Sequence, residues 1–168
     1  MKKLLEDISK RAISSGKFNF TPDEINSKWL GKPPASETDI KFTEKRLGVI
    51  LPDDYKNFLQ ITNGFSTPND AIEPTFEKAE RITFLKDIDP FLIEVWSKGI
   101  LTETGKALAK SIVIAGVDEE QYFLLIPPDQ KHGNWKYWKF ANWIPGEEPY
   151  ENLEAYFTSV LDFLKTEK

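Results

Sequence analysis

Residues 34–64 have the sequence PASETDIKFTEKRLGVILPDDYKNFLQITNG, which contains two helix starts, each followed by a helix stop. Ser36 is suited to accept a hydrogen bond from the first turn of a helix, and Glu37 and Asp39 place negative charge at the positive end of that helix. Gly48 is suited to the positive φ with which many helices end. The pattern therefore predicts a helix that begins after Ser36 and ends at Gly48.

A second helix is predicted directly after the first. Residues 51–54 (LPDD) have the proline and the carboxylates that are typical of a helix start. Apolar side chains follow at intervals of three and four residues, at Tyr55, Phe58 and Leu59. Asn63-Gly64 is a turn signal that ends the run. This pair of helices is the most strongly indicated local structure in the chain.

Two shorter helical segments are predicted upstream of this pair. Apolar residues at helical spacing over 4–15 predict an amphipathic helix. Thr21 and Glu24, with a proline directly after the threonine, have the form of a capping box that starts a short helix towards Trp29. Residues 31–34 (GKPP) then interrupt helical structure, because proline removes a donor and restricts the residue before it.

The second half of the chain is richer in β signals. Short runs of β-branched and aromatic residues predict strands at 81–85, 111–117, 122–126 and 135–140. Between the first two runs, residues 90–108 are predicted to be helical with a break at Gly99, and residues 153–164 place apolar side chains on one face of a last helix. The predicted fold class is α+β, an antiparallel meander of about four or more strands flanked by N-terminal helices and a C-terminal helix.

Composition limits both the architecture and the chemistry. The 168 residues, of which 40% are hydrophobic, favour a single domain over 1–168. The absence of cysteine excludes disulfides, thiolate zinc sites and cysteine nucleophiles. No secretory signal and no apolar stretch of about 20 residues is present, so we expect a cytoplasmic protein that does not enter a membrane. The net charge of −5 argues against nucleic-acid binding and weakly favours a basic partner.

The pattern of caps and apolar positions resembles the signature of the SUKH superfamily. That superfamily includes the fungal Smi/Knr cell-wall regulators and many bacterial immunity proteins encoded beside polymorphic toxins. The resemblance is strongest over 29–65, and no family feature is recognised over 65–110. The matching positions are Pro34, Ser36, Glu37, Ile40, Leu47, Gly48, Leu51, Pro52, Tyr55, Phe58, Leu59, Asn63 and Gly64.

Nearly every one of these matching residues has a structural task, since they cap helices or supply apolar surface, and none is chemically reactive. The resemblance therefore implies a protein-binding module that is not an enzyme and has no catalytic residues, metal or cofactor. The leading hypothesis is an immunity protein that neutralises a cognate toxin, for example a nuclease, and the monomer is the favoured state. The alternatives are a regulatory scaffold, like the fungal relatives, and a binder of a small ligand.

Carboxylates are the candidate contacts for such a partner. Asp118, Glu119 and Glu120 form an acidic turn between two predicted strands, and Glu147 and Glu148 follow the last one. Adjacent carboxylates point to different faces of a strand or helix, which makes them poor catalytic pairs. An acidic surface would complement the cationic groove of a nuclease. Each of these carboxylates has the alternative interpretation of a solvated turn.

An aromatic cluster near the last predicted strand has two interpretations. Its members are Trp135, Tyr137, Trp138, Phe140 and Trp143. Alternation along a strand places them on two faces, so burial against helices is favoured over a platform for stacking bases or sugars. An exposed tryptophan of this cluster, such as Trp143, is a candidate binding hot spot. The single histidine, His132, lies in a polar turn without the partners that a catalytic or metal site needs.

Overall fold

The structure, a computed structural model, describes residues 1–68, 73–130, 133–141 and 147–166. Its helices and strands fall into three groups along the chain. Helices come first, a segment of mixed helices and strand follows, and the last group consists of strands and one C-terminal helix. The elements are α1 (Lys2–Ser15), α2 (Pro22–Ser27), α3 (Glu37–Leu47), α4 (Asp53–Ile61), β1 (Thr83–Phe84), α5 (Leu85–Ile88), α6 (Pro90–Trp96), a 3-10 turn (Gly99–Leu101), α7 (Thr102–Lys110), β2 (Ile112–Ala115), β3 (Gln121–Ile126), β4 (Lys136–Ala141), β5 (Glu147–Tyr150) and α8 (Leu153–Thr166).

The helix α3 begins and ends where the sequence predicts. The Asp39 amide donates to Ser36 Oγ at 3.1 Å, and the Ser36 amide donates back to Asp39 Oδ2 at 2.9 Å, so two amides of the helix start are satisfied reciprocally. Asp39 thus makes a direct hydrogen bond in addition to its favourable charge. At the other end Gly48 adopts a φ of 69°. The predicted start and stop are both confirmed.

We expect Ser36→Ala to lower the free energy of unfolding by about 1 kcal/mol, because alanine cannot accept the amide hydrogen bond that begins α3. Urea denaturation followed by circular dichroism measures this change. The matched control is Thr38→Ala, which removes an exposed hydroxyl from the first turn of the same helix and leaves the cap intact. Equal effects of the two substitutions would contradict the role assigned to the cap.

The strands form one five-stranded antiparallel sheet in chain order, β1-β2-β3-β4-β5, which confirms the predicted meander. One local prediction needs correction, and one strand was missed. The first strand is limited to Thr83–Phe84, because Leu85 turns into α5 and buries its side chain among α6 and α7 rather than continuing the ladder. The strand β5 was not predicted at all. It pairs with β4 at one edge of the sheet and contains Pro149, which lies opposite Trp138.

Helices cover both faces of this sheet. On one face, Phe123, Leu125 and Tyr137 pack in a core with side chains of α1, α3, α4 and α8. On the other face, Trp138 and Phe140 pack with side chains of α5, α6 and α7. Tyr137, Trp138 and Phe140 are all buried, which confirms core packing for these members of the aromatic cluster. They are therefore not available as a stacking platform.

Phe76 lies at the centre of the larger core. It belongs to no regular strand, but its backbone exchanges hydrogen bonds with Phe65 at 2.9 and 3.1 Å. Its ring centroid lies 5.3 Å from that of Phe58, 5.5 Å from that of Phe123 and 4.9 Å from that of Phe157. A single aromatic side chain thus connects α4, the sheet and α8.

Candidate protein-binding surface

Strand register brings the predicted acidic residues to one end of the sheet. Gln121, the first residue of β3, pairs with Ala141, the last residue of β4, and Glu147 pairs with Phe140. The turn before β3 and the start of β5 therefore lie at the same end, about two strand spacings or roughly 10 Å apart. We call this surface the acidic end and define it by Glu73, Glu77, Asp118, Glu119, Glu120, Glu147 and Glu148.

The turn between β2 and β3 is fixed by backbone geometry. Gly116 has a φ of 84°, and a Cβ there would lie 1.8 Å from the carbonyl oxygen of Gln121, so only glycine fits. Asp118 also adopts a positive φ of 72°, a conformation that aspartate tolerates better than most residues. The Glu119 amide donates to the Gly116 carbonyl at 2.9 Å. The carboxylates of the turn are thus held on a defined backbone.

Two of the three carboxylates in the turn have partners within the chain. Asp118 Oδ2 lies 2.9 Å from Arg81 Nη2, and Glu119 Oε2 accepts a hydrogen bond from the Thr75 amide at 3.0 Å. Glu120 is exposed and makes no ion pair within the described residues. Of the three predicted contacts, Glu120 is therefore the one whose charge is most available to a partner.

Glu77 lies close to the carboxylates of the turn and shares an arginine with one of them. Burial raises the pKa of Glu77, the nearby Arg81 opposes that rise, and the charges of Glu119 and Asp118 add to it. Arg81 Nε lies 3.3 Å from Glu77 Oε2, so this arginine forms ion pairs with both Glu77 and Asp118. Around this arginine, two carboxylates thus share one positive charge.

Glu147 and Glu148 lie on a strand, and they point to opposite faces of the sheet. Glu147 is paired with Phe140 and lines a small pocket together with Trp138 and three lysines, Lys106, Lys110 and Lys136. Glu148 is paired with Lys139 on the other face, where its Oε1 accepts a hydrogen bond from the Tyr150 hydroxyl at 2.6 Å. The structure therefore brings both residues to the acidic end but separates their side chains.

A buried ion pair that includes Glu73 of the acidic end had no counterpart in the sequence prediction. The Lys139 side chain is only 8% exposed, and its Nζ lies 2.7 Å from Glu73 Oε1. Glu73 Oε2 accepts a hydrogen bond from the Tyr156 hydroxyl at 2.8 Å, which ties the pair to α8. Burial raises the pKa of Tyr156, and the charge of Glu73 adds to that rise, so the phenol stays protonated and donates. The only indication of this ion pair in the sequence was that Lys139 lies within a strand of mainly aromatic residues.

Two of the residues considered in the sequence lie outside the described residues, namely Trp143 and His132. Among the residues that the structure does describe, no cluster of His, Asp or Glu side chains is arranged to hold a metal ion. In the same part of the chain, no helix combines the length and the apolar composition that crossing a membrane requires.

The comparison with known families agrees with the fold and with the signature of caps and core. The model of the SMI1/KNR4 family (SUKH-1) matches residues 34–166. The matched region begins at the predicted signature and includes residues 65–110, where no family feature was recognised in the sequence. No curated protein gives a significant match to the chain. Because the family model covers most of the sequence, the chain belongs to the SMI1/KNR4 family (SUKH-1).

Proposed function

We propose that this protein is a non-enzymatic binding module, an immunity protein that neutralises a cognate toxin by covering its active site with the acidic end. The observation that carries this proposal is the concentration of carboxylates there, including the exposed side chains of Glu120 and Glu148. A nuclease is the class of toxin that fits best, because the groove that holds a phosphate backbone must be cationic. Family membership supports the proposal at the level of the fold.

The scaffold of the acidic end also suits tight binding. Its turn is held by Gly116 and by hydrogen bonds to neighbouring backbone, and the sheet behind it is covered by helices on both faces. A surface that is already ordered loses little conformational entropy when it binds. Opposite charge on the partner would raise the association rate, and a few close contacts would then set the dissociation rate.

The test is binding to the toxin-like product of the adjacent gene, measured as association and dissociation rates at two salt concentrations. We expect the double variant Glu120→Lys/Glu148→Lys to associate about tenfold more slowly at low salt, because it reverses the two exposed charges that carry the proposal. The matched control is Glu37→Lys/Asp162→Lys, which makes the same change in net charge on α3 and α8.

Equal association rates for the two double variants would show that the acidic end is not part of the interface. The absence of a complex at micromolar concentration, together with no protection of cells from the toxin, would contradict the immunity function itself.

A further inference from the structure

A cleft of about 700 Å³ opens at the end of the sheet opposite the acidic end. It lies where β4 begins, between the start of α4 and the first turns of α8. Its walls include polar, acidic and aromatic side chains, among them Asp54, Asn57, Trp135, Tyr137, Glu151 and Glu154. Pro52 of the family signature also lines the cleft, but its structural task at the start of α4 does not account for the cleft, and neither does the acidic end.

Asp54 lines this cleft, and one oxygen of its carboxylate is buried. The Tyr137 hydroxyl donates a hydrogen bond to Asp54 Oδ1. Burial raises the pKa of Tyr137, and Asp54 adds to that rise, so the phenol remains a donor. Asp54 Oδ2 is buried and accepts no hydrogen bond from the described residues. This oxygen is closed to solvent, so a donor from outside the chain reaches it only after the carboxylate turns towards the cleft, and that donor would then satisfy an oxygen whose burial without a partner is costly.

The other charges at the cleft favour a cationic donor. Glu151 and Glu154 line it together with Asp54, and no Lys or Arg side chain is present among its described lining residues. The amino group of Met1 lies 3.5 Å from Glu154 Oε2, and it is the one cationic group among those lining residues. A positive group entering the cleft would thus meet carboxylates on two sides.

Trp135 supplies a flat aromatic wall. It is half-buried, packs against the larger core and lines the cleft from the residue before β4. The face of an indole ring attracts cations, and a guanidinium stacks on it more readily than an ammonium does. A planar group lying on this ring would also have N–H donors in its own plane, which is the geometry that a carboxylate oxygen accepts best.

We propose that the cleft binds the guanidinium group of an arginine side chain on a protein partner, with its plane against Trp135 and its N–H groups donating to the Asp54 carboxylate, which turns towards the cleft to receive them. This contact goes beyond the proposed function, because it lies at the other end of the sheet and does not depend on a toxin. The carboxylates of Glu151 and Glu154 contribute to the negative potential that attracts the group.

The test uses a short probe, acetyl-Gly-Arg-Gly-amide, and its isostere in which citrulline replaces arginine. The two peptides have the same shape, but only the first carries a charge and the full set of donors. We expect the arginine peptide to shift the indole N–H resonance of Trp135 saturably in two-dimensional NMR, and the citrulline peptide to leave it unchanged. Asp54→Asn should weaken binding of the arginine peptide by about tenfold or more, as expected for losing a charge-assisted hydrogen bond.

Two further variants make the result specific. Glu120→Gln makes the same change in charge at the acidic end, and it should leave peptide binding unchanged. Glu151→Gln/Glu154→Gln keeps Asp54 in place and should weaken binding at low salt, which provides a second test if Asp54→Asn does not fold. Equal binding of the citrulline or the corresponding lysine peptide, or unchanged affinity in Asp54→Asn, would overturn the assignment. Failure of this test would not bear on the proposed binding of a toxin by the acidic end, because that binding is measured in a separate experiment.

Discussion

Replacing Phe76 by alanine is expected to lower the free energy of unfolding by about 4 kcal/mol, the largest effect that we expect from one substitution. The side chain is 2% exposed and contacts Phe58, Phe123 and Phe157, which belong to three different elements. Removing the ring leaves a cavity that these neighbours fill only in part, because each is itself held by other aromatic contacts. Equilibrium unfolding in urea measures the loss.

The control for this prediction is Phe42→Ala. Phe42 is 64% exposed on α3, so the same chemical change removes little buried surface and should alter stability by less than about 0.5 kcal/mol. Phe76→Leu, which refills most of the volume, should fall between the two alanine variants. A loss of less than about 1 kcal/mol in Phe76→Ala would show that Phe76 does not connect the elements of the core in the way described.

The second large effect concerns the buried ion pair. Glu73→Gln should destabilise the protein by about 3 kcal/mol, because it leaves the Lys139 ammonium at 8% exposure without the carboxylate 2.7 Å away. Glu148, whose Oε2 lies 3.9 Å from Lys139 Nζ, compensates only in part. The free energy of unfolding at neutral pH is the measurement.

A double-mutant cycle of Glu73→Gln, Lys139→Met and the double variant separates the effect of the unpaired charge from the effect on packing. In Lys139→Met/Glu73→Gln both charges are gone, and glutamine can still accept the hydrogen bond from Tyr156, so most of the stability should return. The exposed pair Lys98–Glu94 is the reference for a surface interaction, and Glu94→Gln should have no measurable effect. If the double variant is as unstable as Glu73→Gln, the unpaired charge is not the cause of the loss.

The helix starts and stops were predictable because they depend on residues close together in the chain. Ser36 and Asp39 satisfy each other's amides three residues apart, and Thr21 and Glu24 do the same at the start of α2. Gly48 needs only its own positive φ. The order of the central strands was likewise predictable, since short turns join neighbouring antiparallel strands.

Features that depend on distant residues could not be predicted in this way. The run Glu-Glu-Pro-Tyr of β5 has low β-propensity, and it becomes a strand because β4 offers it a ladder. Lys139 and Glu73 are 66 residues apart, and Asp54 and Tyr137 are 83 residues apart. Sequence spacing carries no information about such pairs. The acidic turn was recognised from its composition, whereas its position beside Glu147 follows from strand register alone.

The two margins of the sheet have a consequence for how other chains can approach it. At one margin β1 offers only two residues, and at the other β5 carries Glu147, Glu148 and Pro149. Short length, charge and a missing N–H each discourage an incoming strand from extending the ladder. We therefore expect the edges of the sheet to disfavour recruitment of the protein into fibrillar assemblies. A partner of this protein is therefore expected to recognise side chains at the ends of the strands, where substitutions can change the surface while the backbone scaffold stays the same.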